Sequence, residues 1–142
     1  MTIASKFGSD RRGASAVEFA LVAPVLLLIL FGIVCFGVLL GVMHGVQQLV
    51  AEAARASVAG LSNSERDQLA RDSVSKNIGS YPFIDANKVA VTTNVAGSSG
   101  STFSITVAYD FSASPIFQLR SFVPLPNPMI RRSAVVEHGG IY

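Results

Sequence analysis

The chain has 142 residues, of which 50% are hydrophobic and 14% are charged, and its formal net charge is +2. The charged fraction lies well below the roughly one quarter that is usual in soluble domains. So small a net charge, without clusters of Lys and Arg interleaved with aromatic residues, argues against nucleic-acid binding. Cys35 is the single cysteine, so no intramolecular disulfide can form and the composition does not indicate a redox compartment.

The first predicted element is a membrane-spanning helix. Residues 19–43 carry no charged side chain, and about 20 apolar residues suffice to cross a bilayer. The basic residues Lys6, Arg11 and Arg12 precede this segment, which predicts a cytoplasmic N-terminus and an extracytoplasmic C-terminal region. A cleaved secretory signal is disfavoured because the apolar run is about twice as long as the apolar core of a signal peptide.

Glu18 is a lone carboxylate at the start of the apolar segment, where an ionised group is costly unless it is paired or reaches the interface. If the chain were cut after Gly13, Ala14 would become the first residue and Glu18 the fifth, followed by the aromatic Phe19. This arrangement, with basic residues before it, resembles the processing site of type IV prepilins. The wider stretch "RRGASAVEFALVAPVLLLILFGIV" resembles the TadE-like minor pseudopilins of the Tad/Flp (type IVb) pilus system.

The resemblance implies a domain plan and a set of partners. Residues 1–13 would be a cytoplasmic basic leader that a prepilin peptidase removes, and residues 14–60 would form a long helix that contains the transmembrane segment. The chain would be a single-pass protein of the bacterial inner membrane, in contact with the lipid bilayer, other pilins and the pilus assembly platform. Whether it enters an adhesive fibre or stays in the membrane is left open.

Three residues of this region each allow two interpretations. Glu18 either lies in the headgroup layer at little cost, or pairs with the α-amino group of Ala14, which cleavage would create and whose reference pKa is near 8. Gly13 either belongs to a loose linker or permits a close backbone approach to a protease. Pro24 predicts a kink in the helix, which is either simply tolerated or serves as a hinge.

Two helices are predicted before the first strand. Helix-favouring residues continue the apolar helix from residue 14 to residue 59, a length of about 69 Å at 1.5 Å per residue. The pattern "SNSE" from Ser62 to Glu65 is a capping box that starts a second helix, and Gly79 is expected to end it. The alternating charges of this second helix indicate a solvated face.

Period-two alternation predicts three strands in the rest of the chain, in "KVAVTTNV", "TFSITVAYDF" and "MIRRSAVVEH". The flexible stretch "AGSSGS" is expected to join the first two as a hairpin loop. The proline-spaced "SPIFQLRSFVPLPNP" either tucks Phe117, Leu119, Phe122 and Leu125 under the sheet or against the long helix, or exposes them as a contact surface. The predicted fold is α+β: a pilin-like lollipop, in which residues 61–142 form an extracytoplasmic head of one helix and a three-stranded antiparallel sheet.

No set of residues predicts catalysis, a cofactor or a metal site. Glycines near residue 97 lack the lysine and helix of a phosphate-binding loop, and the acidic residues lack ion-binding spacing. The favoured function is therefore a minor pseudopilin or assembly component of a Tad/Flp-type pilus. The alternative is an uncleaved single-pass anchor that carries an extracytoplasmic binding domain, and a third, weaker option is a major fibre subunit.

Overall fold

A computed structural model describes residues 11–96 and 102–137 of the chain. Its helices are α1 (Arg11–Ser57) and α2 (Asn63–Asn77), and its strands are β1 (Val89–Ala96), β2 (Thr102–Asp110) and β3 (Met129–Glu137). The strands form one antiparallel sheet in the order β1-β2-β3. This confirms the predicted α+β class, a long apolar helix with a small head.

Helix α1 has 47 residues, which at 1.5 Å per residue gives about 70 Å. It begins at Arg11, three residues before the predicted start, and ends at Ser57, two residues before the predicted end. The helix continues through Gly13 because a glycine costs only about 1 kcal/mol relative to alanine and does not remove a backbone hydrogen bond. After the helix, a Cβ on Gly60 would lie 2.8 Å from the backbone nitrogen of Arg66, so this close turn requires glycine.

Helix α2 has the predicted capping box. The N-cap hydroxyl of Ser62 accepts a hydrogen bond from the Glu65 amide at 3.2 Å, and a Glu65 carboxylate oxygen accepts one from the Leu61 amide at 2.9 Å. The α-helix ends at Asn77 and continues as a 3₁₀ turn over Ile78–Ser80, so the expected stop at Gly79 was slightly late.

The predicted strand faces are confirmed most clearly in β2, the central strand. Phe103, Ile105, Val107 and Tyr109 alternate with less buried residues and are each no more than 3% exposed. On the edge strand β1 the buried face weakens toward its end, where Val95 is 40% exposed. The predicted hairpin loop, beyond its first residue, lies outside the described residues.

The main core of the head lies between the sheet, α2 and the C-terminal half of α1. The side chains that α1 contributes share one face of the helix: Leu39, Val42, Val46, Leu49, Val50 and Ala53. Gly45 lets the segment between α2 and β1 approach this face, because a Cβ there would lie 2.9 Å from Ile84 Cδ1. Tyr81 on the same segment places its hydroxyl 3.1 Å from Gln48 Oε1.

The proline-spaced segment between β2 and β3 contains a 3₁₀ helix, Pro115–Ser121, and packs against α1. Val123 and Leu125 bury Cys35, which is 1% exposed. The head therefore covers Cys35, although this residue lies within the uncharged run of residues 19–43 that was predicted to span the membrane.

The two alternatives for this segment are each right for part of it. Leu125 is buried and the ring of Phe117 packs edge-on against Phe111 at 5.8 Å, as the tucked alternative predicts. Phe122 is instead 70% exposed. The segment thus combines a buried side with one exposed aromatic ring.

Candidate processing and assembly site on helix α1

The first half of α1 lies outside the head. No residue from 13 to 34 is buried, whereas buried residues recur on one face of the helix from Cys35 onward. Within the described residues Gly13–Ser57 is the one helix long and apolar enough to cross a membrane, and 17% of its most apolar 18-residue window is buried. An apolar helix that is exposed on all sides needs lipid or another helix around it.

Gly13 and Ala14, the residues of the predicted cleavage site, lie in the first turn of α1 and are exposed. The first four amides of a helix have no partner within it. No acidic residue lies in this turn to offset the positive end of the helix dipole.

Gly13 has free space around it. A Cβ built on its backbone meets no atom within 4 Å. An alanine would therefore fit into the helix without a clash and would favour it by about 1 kcal/mol. The structure thus gives no packing reason for glycine at this position.

Glu18 follows Ala14 by one helical turn, a rise of about 6 Å. Both residues are exposed, and Phe19 beside them is 72% exposed. Residues four apart lie on the same side of a helix, so a charge on the amino group of residue 14 would face the Glu18 carboxylate or that of a neighbouring chain.

Lys6 lies outside the described residues, and so does most of the predicted leader. Pro24 lies within α1, which continues as a helix on both sides of it. Pro24 also lines an apolar groove between α1 and the C-terminal end of the 3₁₀ helix with the residues just after it, together with Phe31, Leu119 and Phe122. Sequence reasoning missed this groove, and its only signal was the apolar, proline-spaced composition of that segment.

No acidic, histidine or cysteine side chains in the described parts of the chain gather in a group of three that could hold a metal ion. His44 is an exposed residue of α1. The free thiol of Cys35 is buried in an apolar cluster. The features that distinguish the first half of α1 are therefore its exposed apolar surface, Gly13 and the carboxylate of Glu18.

Comparison with known proteins agrees with the location of these features. No curated protein and no solved structure matches the chain significantly. The model of the family described as TadE-like protein matches residues 13–55, which starts at the predicted cleavage glycine and covers nearly all of α1. The resemblance to TadE-like proteins is thus confirmed over the long helix, and it indicates a Tad pilus-related protein.

Proposed function

We propose that this chain is a minor pseudopilin of a Tad/Flp-type pilus, cut after Gly13 by a prepilin peptidase and assembled through α1. The observation that carries the proposal is the fully exposed apolar half of α1, with Glu18 one turn after Ala14. The TadE-like match over residues 13–55 supports it. The role is structural, with the helix as the assembling element and the head outside the cytoplasm.

Processing requires the first turn of α1 to open. A peptidase acts on an extended backbone, and the helix must therefore unwind around residues 11–14 before the Gly13–Ala14 bond is accessible. Glycine lowers the cost of this step because it is a poor helix former, and it lets the enzyme approach the backbone closely. The arginines beside it have the further role of holding the leader on the cytoplasmic side.

Assembly follows from what the cut creates. The new amino group on Ala14 is cationic at neutral pH and would be costly within an apolar bundle of helices unless a carboxylate faces it. Glu18 supplies that carboxylate, either in the same chain or in a neighbouring chain. Because an unpaired charge is penalised by several kcal/mol, the pairing also favours one register between adjacent helices.

The deciding experiment is mass spectrometry of the N-terminus of the protein from its native membrane, with and without the prepilin peptidase. We expect a start at Ala14 only when the peptidase is present. Gly13→Ala should prevent this processing, while Gly32→Ala, at a position equally free of neighbouring atoms, should leave it intact. A chain that keeps residues 1–13 in both strains would contradict the proposal and leave an uncleaved anchor with a binding domain.

A second experiment tests assembly separately. Glu18→Gln should still be processed at Gly13 but should enter assembled pilus complexes poorly, because the Ala14 amine then lacks its counter-charge. Asp72→Asn, a neutralised carboxylate on the exposed side of α2, is the matched control. Full pilus function with a reversed charge at position 18 would contradict the pairing.

A further inference from the structure

The apolar groove beside Pro24 lies outside the head core. Leu119, Phe122 and Val123 form one wall, and Pro24, Leu27, Leu28 and Phe31 of α1 form the other. The groove encloses about 350 Å³, and every side chain that lines it is apolar. Phe122, at 70% exposure, is its most open wall residue.

The position of the groove along α1 is unusual for a soluble surface. Contacts with the buried head clusters begin at Cys35, but the groove extends to Pro24, about 16 Å further toward the N-terminus at 1.5 Å per residue. Residues 119–123 therefore lie alongside residues 13–34, the half of α1 that the head leaves bare. That half is the part of the chain that the membrane anchor places in lipid.

Basic side chains lie next to this region. Arg120 is exposed between two groove residues. Arg131 and Arg132 line a recess with Leu39 and Met43 of α1. Arg120 therefore lies beside the groove, while Arg131 and Arg132 lie on the head side of Val34, where the bare helix ends.

A further recess at this level is lined by side chains of both positive and negative charge. Lys88 lines it with Val38 of α1, and Asp110 lies in the same recess. The charge of the lysine is therefore offset locally. The part of the head next to the bare half of α1 remains positively charged because of Arg120, Arg131 and Arg132.

We propose that residues 119–123 insert into the extracytoplasmic leaflet, with a lipid acyl chain in the groove and the arginines on lipid phosphates. This rests on the membrane anchoring in the proposed function. Phe and Leu are typical of the apolar face that an interfacial element buries at the boundary between headgroups and acyl chains, and arginine reaches phosphate while its stem stays on apolar surface. The continuity of the groove with the bare helix and this charge pattern select lipid as the occupant.

The backbone of the segment suits such a position. The amides of Phe122 and Val123 both donate to the carbonyl oxygen of Leu119 at 2.9 Å. Satisfied donors matter because an unpaired backbone group is costly in hydrocarbon. Interfacial elements typically lie about 5–10 Å into the boundary between headgroups and acyl chains. Phe31, which lines the groove with Phe122, is about 4.5 Å along α1 from Val34, so Phe122 would lie near the shallow end of this range if the hydrocarbon ends near Val34.

This position also shifts the predicted transmembrane segment. Residues 14–34 would span about 31 Å, close to the roughly 30 Å of a bilayer core. The earlier boundaries of 19–43 would place Cys35, Leu39 and Val42 in lipid, but the head covers them. The transmembrane span would thus lie nearer the N-terminus, and the head would lie directly on the membrane surface.

Single tryptophans test the proposal, because the chain has none. The full chain is reconstituted at low density in phosphatidylcholine and phosphatidylglycerol vesicles with brominated acyl chains, which quench nearby tryptophan. We expect Leu26→Trp, in the bare helix, and Phe122→Trp each to lose at least roughly half of their emission, as residues in contact with acyl chains should. Leu61→Trp, at a 92% exposed position beyond the end of α1, should lose little.

The outcomes separate the inference from the anchor on which it rests. An unquenched Leu26→Trp would overturn both. Quenching of Leu26→Trp without quenching of Phe122→Trp would overturn lipid insertion and leave the anchor intact. If Phe122→Trp were shielded from both bromine and aqueous acrylamide, a second copy of the helix would fill the groove, and the lipid assignment would be wrong. Leu119→Trp on the same wall provides a second probe with the same expected quenching.

Discussion

The two halves of helix α1 differ in their surroundings although the helix is continuous. In residues 13–34 no side chain is buried, and Leu26 is 61% exposed. In the second half one face is buried against the head, and Leu49 is 0% exposed. The comparison shows that similar aliphatic residues are left exposed in the first half of one helix and form a protein core in the second half.

The polar residues of α1 follow the same division. In the second half Gln47, Gln48 and Arg55 accompany the buried stripe, which is the pattern of an amphipathic helix. In the first half the exposed surface is apolar on all sides except at Ser15 and Glu18. Polar residues thus appear on the outer face from His44 onward, nine residues after the head begins to cover α1 at Cys35.

The sharpest test of the comparison is a leucine truncation in each half. Leu49→Ala should lower the free energy of unfolding of the head by about 2–5 kcal/mol, because it leaves a cavity in a packed core. Leu26→Ala should change it by less than about 0.5 kcal/mol, as exposed positions usually do. Urea unfolding of the full chain in micelles, followed by the near-ultraviolet signal of the tyrosines, measures both. Equal effects would show that the halves do not differ.

An introduced charge should have the opposite pattern of effects, with the larger effect in the first half of α1. Leu26→Lys should weaken membrane anchoring by about 3–4 kcal/mol, the difference between leucine and lysine near the centre of a spanning helix. Gln47→Lys, on the exposed face of the second half, should not affect it. The measurement is the fraction of chain that stays in the membrane pellet after carbonate extraction. Retention of both variants would argue against a span in the first half.

The N-cap of α2 tests whether the packing of the head against the second half of α1 depends on a local capping interaction. Ser62→Ala removes the acceptor for the Glu65 amide and should destabilise the head by about 1 kcal/mol. Ser64→Ala, two residues later and exposed, is the control. The same urea titration measures the difference in the free energy of unfolding. Neither substitution should change the exposure of Leu26 in the first half of α1. An unchanged midpoint for Ser62→Ala would show that packing alone holds α2.

The smallest expected effect is on the pH dependence of the head. Hydrogen bonds from Arg71, at 3.0 Å, and Thr93, at 2.6 Å, lower the pKa of Asp67 below its usual 3.8. The ionised carboxylate therefore stabilises the fold above its unfolded-state pKa, and this contribution is lost as the pH falls through the lowered folded value. Because the pair is solvent-screened, its contribution should be below about 1 kcal/mol.

Unfolding of Asp67→Asn between pH 6 and pH 3 measures this contribution. The variant should be less stable than the native chain near neutral pH and should approach it as Asp67 becomes protonated. Asp72→Asn on the same helix is the control, and it should keep the native pH profile. A constant difference between Asp67→Asn and the native chain at all these pH values would contradict the assignment.

Local patterns in the sequence predicted most of the elements. The alternation in β2 identified its buried face residue by residue, and the capping box identified the start of α2. Each of these signals depends on neighbours within a few residues, so the sequence carries it directly. At the site, the position of Gly13, Ala14 and Glu18 along α1 followed from their spacing, while their roles in processing and assembly stay predictions.

The features that were missed involve residues far apart in the chain. Uncharged residues continue without a break from 19 to 43, so hydropathy could not mark Cys35 as the point where the head begins. That boundary depends on Val123 and Leu125, which reach Cys35 only in the folded chain. The start of α1 at Arg11 was missed for a different reason: a glycine lowers helix propensity but does not remove a hydrogen bond.

By itself, then, the sequence determined an apolar helix long enough to span a membrane and the strands of a small head, because short-range periodicity encodes both of them. The residues around Gly13 resemble a prepilin processing site. Only the tertiary structure decided which half of α1 is covered, that Cys35 is buried, and that Phe122 is left exposed beside Pro24. The physical reason is that burial is a property of the partners that a side chain meets, and those partners are distant in sequence.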